Sequence, residues 1–186
     1  MINVEKLHEE FINLVSNGAP FSNETLIKSA NLCECKISFL QHKYPHLLTD
    51  FLAEIITSKL CEINPDEYLN IPSFTDRVSK ISQNFLDSIY INEKYAGKMV
   101  KFYIKKPTCG ANILYKISSE LMKIAQDSSL DFSFYTKRAI LFGIFTSLLP
   151  DILRHKNIEN IKQNLHNRIQ STRKIAKIKE KFGKFF

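Results

Sequence analysis

Apolar residues recur every three or four positions along almost the whole chain, which is the periodicity of helices that bury one face. In the first such stripe Leu7 is followed by Phe11 and Leu14, and Gly18 is placed to end the helix. No stretch alternates apolar and polar residues for long, so the pattern predicts no sheet. The predicted helices cover about residues 2–17, 22–32, 36–43, 45–62, 74–90, 93–105, 108–126, 131–149 and 157–184.

The predicted helices fall into three parts. The stretch from Asn64 to Pro72 contains two Pro residues together with Asn and Asp, a composition typical of a linker. Before it, two short helices follow a first helix and precede a longer one, which is the order of a helix-turn-helix unit. We therefore assign residues 1–62 to a helix-turn-helix-like N-terminal subdomain, 63–157 to a helical core and 158–186 to a C-terminal helix.

Composition agrees with a folded chain in a cytosolic setting. Hydrophobic residues make up 44% of the sequence, which is enough for a core. The first ten residues hold three Glu and no apolar run, so we expect no secretory signal, and we expect the four cysteines to be reduced. The longest strongly apolar stretch, residues 139–149, is shorter than the roughly 20 residues of a membrane span and predicts a buried helix.

The sequence contains no pattern typical of catalysis. A Gly-rich phosphate loop, a Ser nucleophile elbow and a His-Glu-x-x-His pair are all missing from it, and the five His residues are scattered. Cys33, Cys35, His42 and His46 are a possible zinc site, but their spacing matches no known zinc motif, and small core residues are the alternative. We predict no enzyme, no metal and no cofactor.

The positive charge is concentrated at the end of the chain. The net charge is +7, and residues 168–186 hold seven basic residues against the single acid Glu180. Residues 1–62 hold five basic and eight acidic residues, and the first Arg is Arg77. A polyanionic partner is therefore expected at the C-terminus and not at the N-terminus.

One segment resembles a known family. Residues 127–141 read DSSLDFSFYTKRAIL, which is similar to the signature of the coenzyme Q biosynthesis accessory family. Weaker similarity covers residues 19–22, 44–45 and 167–169. Gln126 replaces a Gly that the family carries, and Met122 and Phe134 stand where it usually has Trp.

The resemblance implies a fold and a function. It implies a TetR-like bundle of about nine to ten helices that binds isoprenoid quinone intermediates or other lipids, forms a homodimer and assists a ubiquinone-pathway hydroxylase. It also implies a terminal amphipathic helix on the inner face of the cell membrane.

Two apolar helices are the candidate walls of a lipid cavity. The helix that starts near Asp131 is apolar on nearly every face after Lys137, so a plain core is the alternative. The resemblance favours a cavity. The candidate lipid-binding residues are Phe102, Leu114, Ile117, Leu121, Met122, Ile140, Ile144 and Phe145.

The start of the same helix is a candidate partner surface. Asp131, Phe134, Tyr135 and Arg138 share one helix face. Aromatic residues beside an Arg are a common composition of interaction hot spots, and the family has a partner. A helix cap with an Asp–Arg surface pair is the alternative.

The last helix changes its apolar face near residue 172. The second face combines aliphatic and aromatic residues with lysines on the other side, which is typical of an interfacial membrane helix. A solvated basic tail or a nucleic-acid tail is the alternative. The candidate membrane-binding residues are Lys174, Ile175, Lys177, Ile178, Lys181, Phe182 and Phe185.

A second class of function remains open at this point, a TetR-type DNA-binding regulator. The acidic N-terminal subdomain without Arg argues against it, because DNA affinity depends heavily on basic contacts to phosphate. A protein-interaction scaffold without a ligand is a third possibility. We predict a lipid-binding accessory protein that binds no nucleic acid.

Overall fold

The computed structural model describes residues 3–128, 132–154 and 157–182, with backbone only at 132 and 173–182. These residues form nine α-helices, one 3-10 helix at Pro65–Tyr68 and no strand, which confirms the all-α prediction. The α-helices are α1 (Val4–Ser16), α2 (Asn23–Leu32), α3 (Ile37–Lys43), α4 (Leu48–Cys61), α5 (Phe74–Ile89), α6 (Glu93–Ile104), α7 (Pro107–Ile124), α8 (Phe132–Arg154) and α9 (Ile158–Phe182).

Local side chains define the starts of four of the described α-helices. The side-chain oxygens of Asn3, Ser22, Ser73 and Asn92 each accept a hydrogen bond from the backbone N–H three residues later. Gly18 ends α1 with a φ of 104°, and the next N–H, from Ala19, bonds back to the Leu14 carbonyl. These short-range signals explain why the predicted bounds agree closely with the observed ones.

Two helix bounds that lie near prolines differ from the prediction. The fourth helix begins at Leu48 and not at Pro45, because residues 44–47 form a turn closed by the Leu47 N–H on the Tyr44 carbonyl. Helix α8 does not end at Leu149 but continues through Pro150 to Arg154. Pro150 lacks one N–H, but the turn after it packs Ile152 against the core, which offsets the lost bond. No helix in the described part of the chain is long and apolar enough to cross a membrane.

The core consists of two hydrophobic clusters that share one helix. The first cluster contains residues of α1, α2, α3 and α4, among them Phe11 and Phe51. The second cluster contains residues of α4, α5, α7, α8 and α9. Along α4, Ile55 belongs to the first cluster and Ile56 to the second. Tyr68, within the predicted linker 64–72, is buried in the second cluster, so this segment packs on the core.

Helix α6 ties the N-terminal helices to the rest of the chain. Its Lys98 Nζ donates to the carbonyls of Val15 and Ala19 at 2.9 and 2.8 Å, which satisfies the C-terminal end of α1. Its Tyr95 is buried in the first cluster, where the hydroxyl lies 3.0 Å from His8 Nε2. The same helix also packs against α8.

His8 is buried beside Tyr95 and Phe51, and this environment keeps it neutral. Desolvation by burial, with a further contribution from the charge of Lys59, lowers the pKa of His8 from 6.5 to about 4. The unfolded chain takes up a proton on His8 below pH 6.5, whereas the folded chain does so only near pH 4. The difference makes the folded state lose stability as the pH falls through this window.

We expect the free energy of unfolding to drop by about 3 kcal/mol between pH 7 and pH 4 because of His8 alone. Urea unfolding of the wild type and of His8→Gln across this range measures the effect. The variant should lose less stability over the range than the wild type. Parallel pH profiles for the two proteins would contradict the assignment.

Candidate functional site

An apolar cavity of about 350 Å³ lies among five helices. Its walls come from Ile56 on α4, Phe85 on α5, Val100 on α6, Ile117 on α7 and Phe145 on α8, together with other aliphatic and aromatic side chains of the same helices. The cavity opens where lining residues are exposed, at Ile104, Pro107 and Ala111 around the α6–α7 turn and at Thr146 on α8. With no charged side chain in its lining, it suits the hydrocarbon part of a ligand.

The structure divides the predicted lipid-binding residues among different places. Leu114, Ile117 and Phe145 line the cavity. Met122, Ile140 and Ile144 line a second apolar groove of about 260 Å³ between α5, α7, α8 and α9. Leu121 is fully buried in the core, and Phe102 packs on Phe21 of the N-terminal cluster.

Helix α6 supplies cavity residues that the sequence did not single out. Met99, Val100 and Tyr103 line the cavity, whereas Phe102 lies about 100° around the helix from Tyr103 and faces the N-terminal cluster. α6 is apolar on two faces, and only the tertiary structure shows which face meets the cavity. The start of α7 lies close to the end of α6 at Gly110. A Cβ on Gly110 would lie 3.0 Å from the Tyr103 carbonyl oxygen, so a residue without a side chain suits this position.

A buried ion pair holds the segment between α7 and α8. Arg138 Nη1 donates to Asp127 Oδ2 at 3.0 Å and to the Phe134 carbonyl at 2.8 Å, and both charged side chains are 1% exposed. The Arg138 guanidinium also stacks on the Phe134 ring, 3.4 Å from its centroid. Lys137 adds a contact of 2.8 Å to Asp127 Oδ1 at the surface. This signature segment therefore has a structural role of its own.

The chain reaches Asp127 through a strained residue. Gln126 has a φ of 58°, in the left-handed region that favours Gly, and follows the last residues of α7. The N–H groups of Gln126 and Asp127 bond to the carbonyls of Lys123 and Met122, which is the usual closure of a helix by a left-handed residue. The Gly that the family carries at this place is thus explained, and Gln126 costs about 1 kcal/mol relative to it.

Only some of the side chains in the predicted partner surface are exposed. Tyr135 is 65% exposed and Phe134 is half-buried with its ring against Tyr135. Arg138 is buried, so it supports the surface from beneath instead of contacting a partner. Asp131 lies outside the described residues.

Most of the predicted membrane-binding residues belong to the C-terminal part of α9. The backbone of α9 is helical through Phe182, and the side chains of Lys174, Ile175, Lys177, Ile178, Lys181 and Phe182 lie outside the described part, as does Phe185. Up to Ile169, α9 packs in the second cluster, and it is attached to α5 by a Ser79–His166 hydrogen bond of 2.9 Å.

The third helix of the N-terminal unit exposes apolar side chains. On α3, Ile37 and Phe39 are exposed, and Lys43 is engaged by Glu54 at 2.8 Å. Among the described residues, no three His, Cys, Asp or Glu side chains are grouped to hold a metal ion, and the four cysteines are free thiols. Burial raises the pKa of the Cys33 thiol.

A known family matches the part of the chain that contains the α7 and α8 walls of the cavity. No curated protein matches the sequence. The matched family segment covers residues 108–176 and includes the α7 and α8 walls of the cavity and the buried Asp127–Arg138 pair. Over this segment the chain is similar to the COQ9 family, the accessory family of ubiquinone biosynthesis whose signature residues 127–141 resemble.

Proposed function

We propose that the protein is a lipid-binding accessory protein that holds isoprenoid quinone intermediates and presents them to a hydroxylase of the ubiquinone pathway. The observation that carries the proposal is the apolar cavity of about 350 Å³, which is in the size range of small-molecule sites, roughly 300–1,000 Å³. A solid core of the same helices would leave no such space, because protein interiors are close-packed.

The direct test is the lipid content of the purified protein. After extensive washing, organic extraction and mass spectrometry should recover an isoprenoid or phospholipid in about equal amount to the protein. Protein purified under denaturing conditions and refolded without lipid is the control, and it should take up an added isoprenoid quinone. A preparation that neither retains nor takes up lipid would overturn the proposal.

The proposed hydroxylase contact uses the exposed ring of Tyr135. Tyr135→Ala should weaken binding of the purified hydroxylase by about 2 kcal/mol, roughly 30-fold, because exposed aromatic rings are frequent hot spots. Biolayer interferometry measures the affinity, and circular dichroism checks that the helices are intact. Phe39→Ala, which removes another exposed ring on α3, is the matched control and should bind normally. Equal affinity of both variants would place the contact elsewhere.

We further propose that the C-terminal part of α9 holds the protein on an anionic membrane and that the protein acts as a homodimer on the inner face of the cell membrane. The support is the sequence of residues 173–186, which combines six basic residues with three Phe. Co-sedimentation with anionic vesicles, with and without residues 173–186, tests the membrane part of this proposal.

A further inference from the structure

A second, much smaller void lies next to the apolar cavity. It measures about 10 Å³, and Ile56, Ile89 and Met99 line both spaces. On α6 the side chains of Tyr95, Met99 and Tyr103 follow one helix face at steps of four residues. Of these three, Tyr95 lines the small void, Tyr103 lines the cavity and Met99 lines both. The two spaces therefore follow one another along α6, over about 12 Å at 1.5 Å per residue.

The small void has polar groups on its wall. His8, Ser88 and Tyr95 all line it, and we call it the polar void. The Tyr95 hydroxyl lies 3.0 Å from His8 Nε2, and the two side chains are 2% and 8% exposed. The Ser88 hydroxyl donates to the Phe85 carbonyl at 2.8 Å, and its oxygen can still accept a hydrogen bond.

The Tyr95 hydroxyl has capacity for a further hydrogen bond. It has one proton and two lone pairs, and the bond to His8 uses one of these three, whichever ring tautomer is present. When its proton points to Nε2, the oxygen accepts from an alcohol; when Nε2–H donates, the hydroxyl donates to a carbonyl. Because burial lowers the pKa of His8 to about 4, the ring is uncharged at neutral pH. The pair thus offers hydrogen bonds without a charge.

The size of the polar void limits what enters it. About 10 Å³ is close to the space that one water molecule needs, so the void takes one oxygen atom and no ring. Met99 borders both spaces, and its unbranched, flexible side chain can move aside to join them.

We infer that the polar void binds the leading oxygen of a ligand whose apolar part fills the cavity. The ligand class is an apolar molecule with an uncharged hydrogen-bonding oxygen at that end, an alcohol hydroxyl or a carbonyl. A carboxylate or phosphate is disfavoured there, because it would lose its hydration without gaining a cation. This inference rests on the proposed lipid-binding function and adds the chemical class and the orientation of the ligand.

The test compares 1-decanol and decane, which share one chain and differ by one hydroxyl. Displacement of a fluorescent apolar dye from the full-length protein measures both affinities. The double substitution His8→Phe/Tyr95→Phe keeps two aromatic rings and removes both polar partners, so neither is left buried without the other. We expect it to lower the affinity for 1-decanol about fivefold, because a hydrogen bond is lost, and to leave the affinity for decane unchanged.

Tyr44→Phe is the matched control. Tyr44 is buried in the same N-terminal cluster as Tyr95 but lines neither space, so loss of its hydroxyl should leave both affinities as in the wild type. An unchanged ratio of the two affinities in His8→Phe/Tyr95→Phe would overturn the polar void as a binding site, while the lipid cavity stands. If neither probe displaces the dye, the proposed lipid function fails and the polar void fails with it.

Nuclear magnetic resonance of the His8 ring tests the wild type directly, whether or not the double variant folds. In protein with isotope-labelled histidine, 1-decanol should shift the ring nitrogen resonances of His8 more than decane does. His8→Gln identifies those resonances among the five histidines. Equal shifts with the two probes would place the ligand oxygen outside the polar void.

Discussion

Arg138→Ala is expected to lower the free energy of unfolding by about 3–5 kcal/mol, the largest loss that we predict for any single change in this chain. The substitution leaves the Asp127 carboxylate buried at 1% exposure without its guanidinium partner, and it removes the stacking on Phe134. The carboxylate keeps its contact to Lys137 at Oδ1, but its other oxygen loses the guanidinium while it stays buried, which destabilises the folded state. Chemical denaturation with circular dichroism measures the loss.

Two control variants separate the buried pair from its surroundings. Lys137→Ala removes the surface contact to the same carboxylate and should cost about 1 kcal/mol or less, because Lys137 is 36% exposed. The double substitution Asp127→Leu/Arg138→Leu removes both charges and should be more stable than Arg138→Ala. If Arg138→Ala and Lys137→Ala are equally stable, the pair does not stabilise the α7–α8 connection.

Ala111→Trp is expected to lower lipid retention strongly while leaving the fold intact. Ala111 is exposed and lines the mouth of the cavity, so an indole at this position fills the entrance instead of displacing core side chains. Overlap with a ligand chain costs about 1–3 kcal/mol, which lowers the affinity for lipid roughly 5- to 150-fold. Mass spectrometry of extracted lipid gives the amount, and the melting temperature reports on the fold.

The neighbouring residue provides the matched control. Asn112 is also exposed on α7 but does not line the cavity, so Asn112→Trp adds the same ring outside the entrance and should retain lipid as the wild type does. Because the natural chain has no Trp, indole fluorescence reports on each introduced position alone. Normal lipid content in Ala111→Trp, with a folded protein, would show that lipid does not enter through this mouth.

The sequence by itself determined the helical fold and the place of most helices. Apolar periodicity and local caps such as Ser22 and Gly18 act within a few residues, so they can be seen without the tertiary structure. The signature at 127–141 likewise predicted the family that residues 108–176 match. The left-handed conformation of Gln126 could not be seen locally, because Gln rarely adopts it; the family's Gly at that place was the only signal.

Only the tertiary structure decided which faces of the helices meet. One step of about 100° separates Phe102, in the N-terminal cluster, from Tyr103, at the cavity, and periodicity cannot choose between two apolar faces of one helix. Arg138 has the polar side chain expected of a surface residue, but Asp127 compensates its charge in the interior, and this pairing depends on the path of the chain between α7 and α8. Helix α8 continues past Pro150 because the packing of Ile152 against the core outweighs the tendency of proline to end a helix. In each case a contact between distant residues, which no local pattern encodes, determined the outcome.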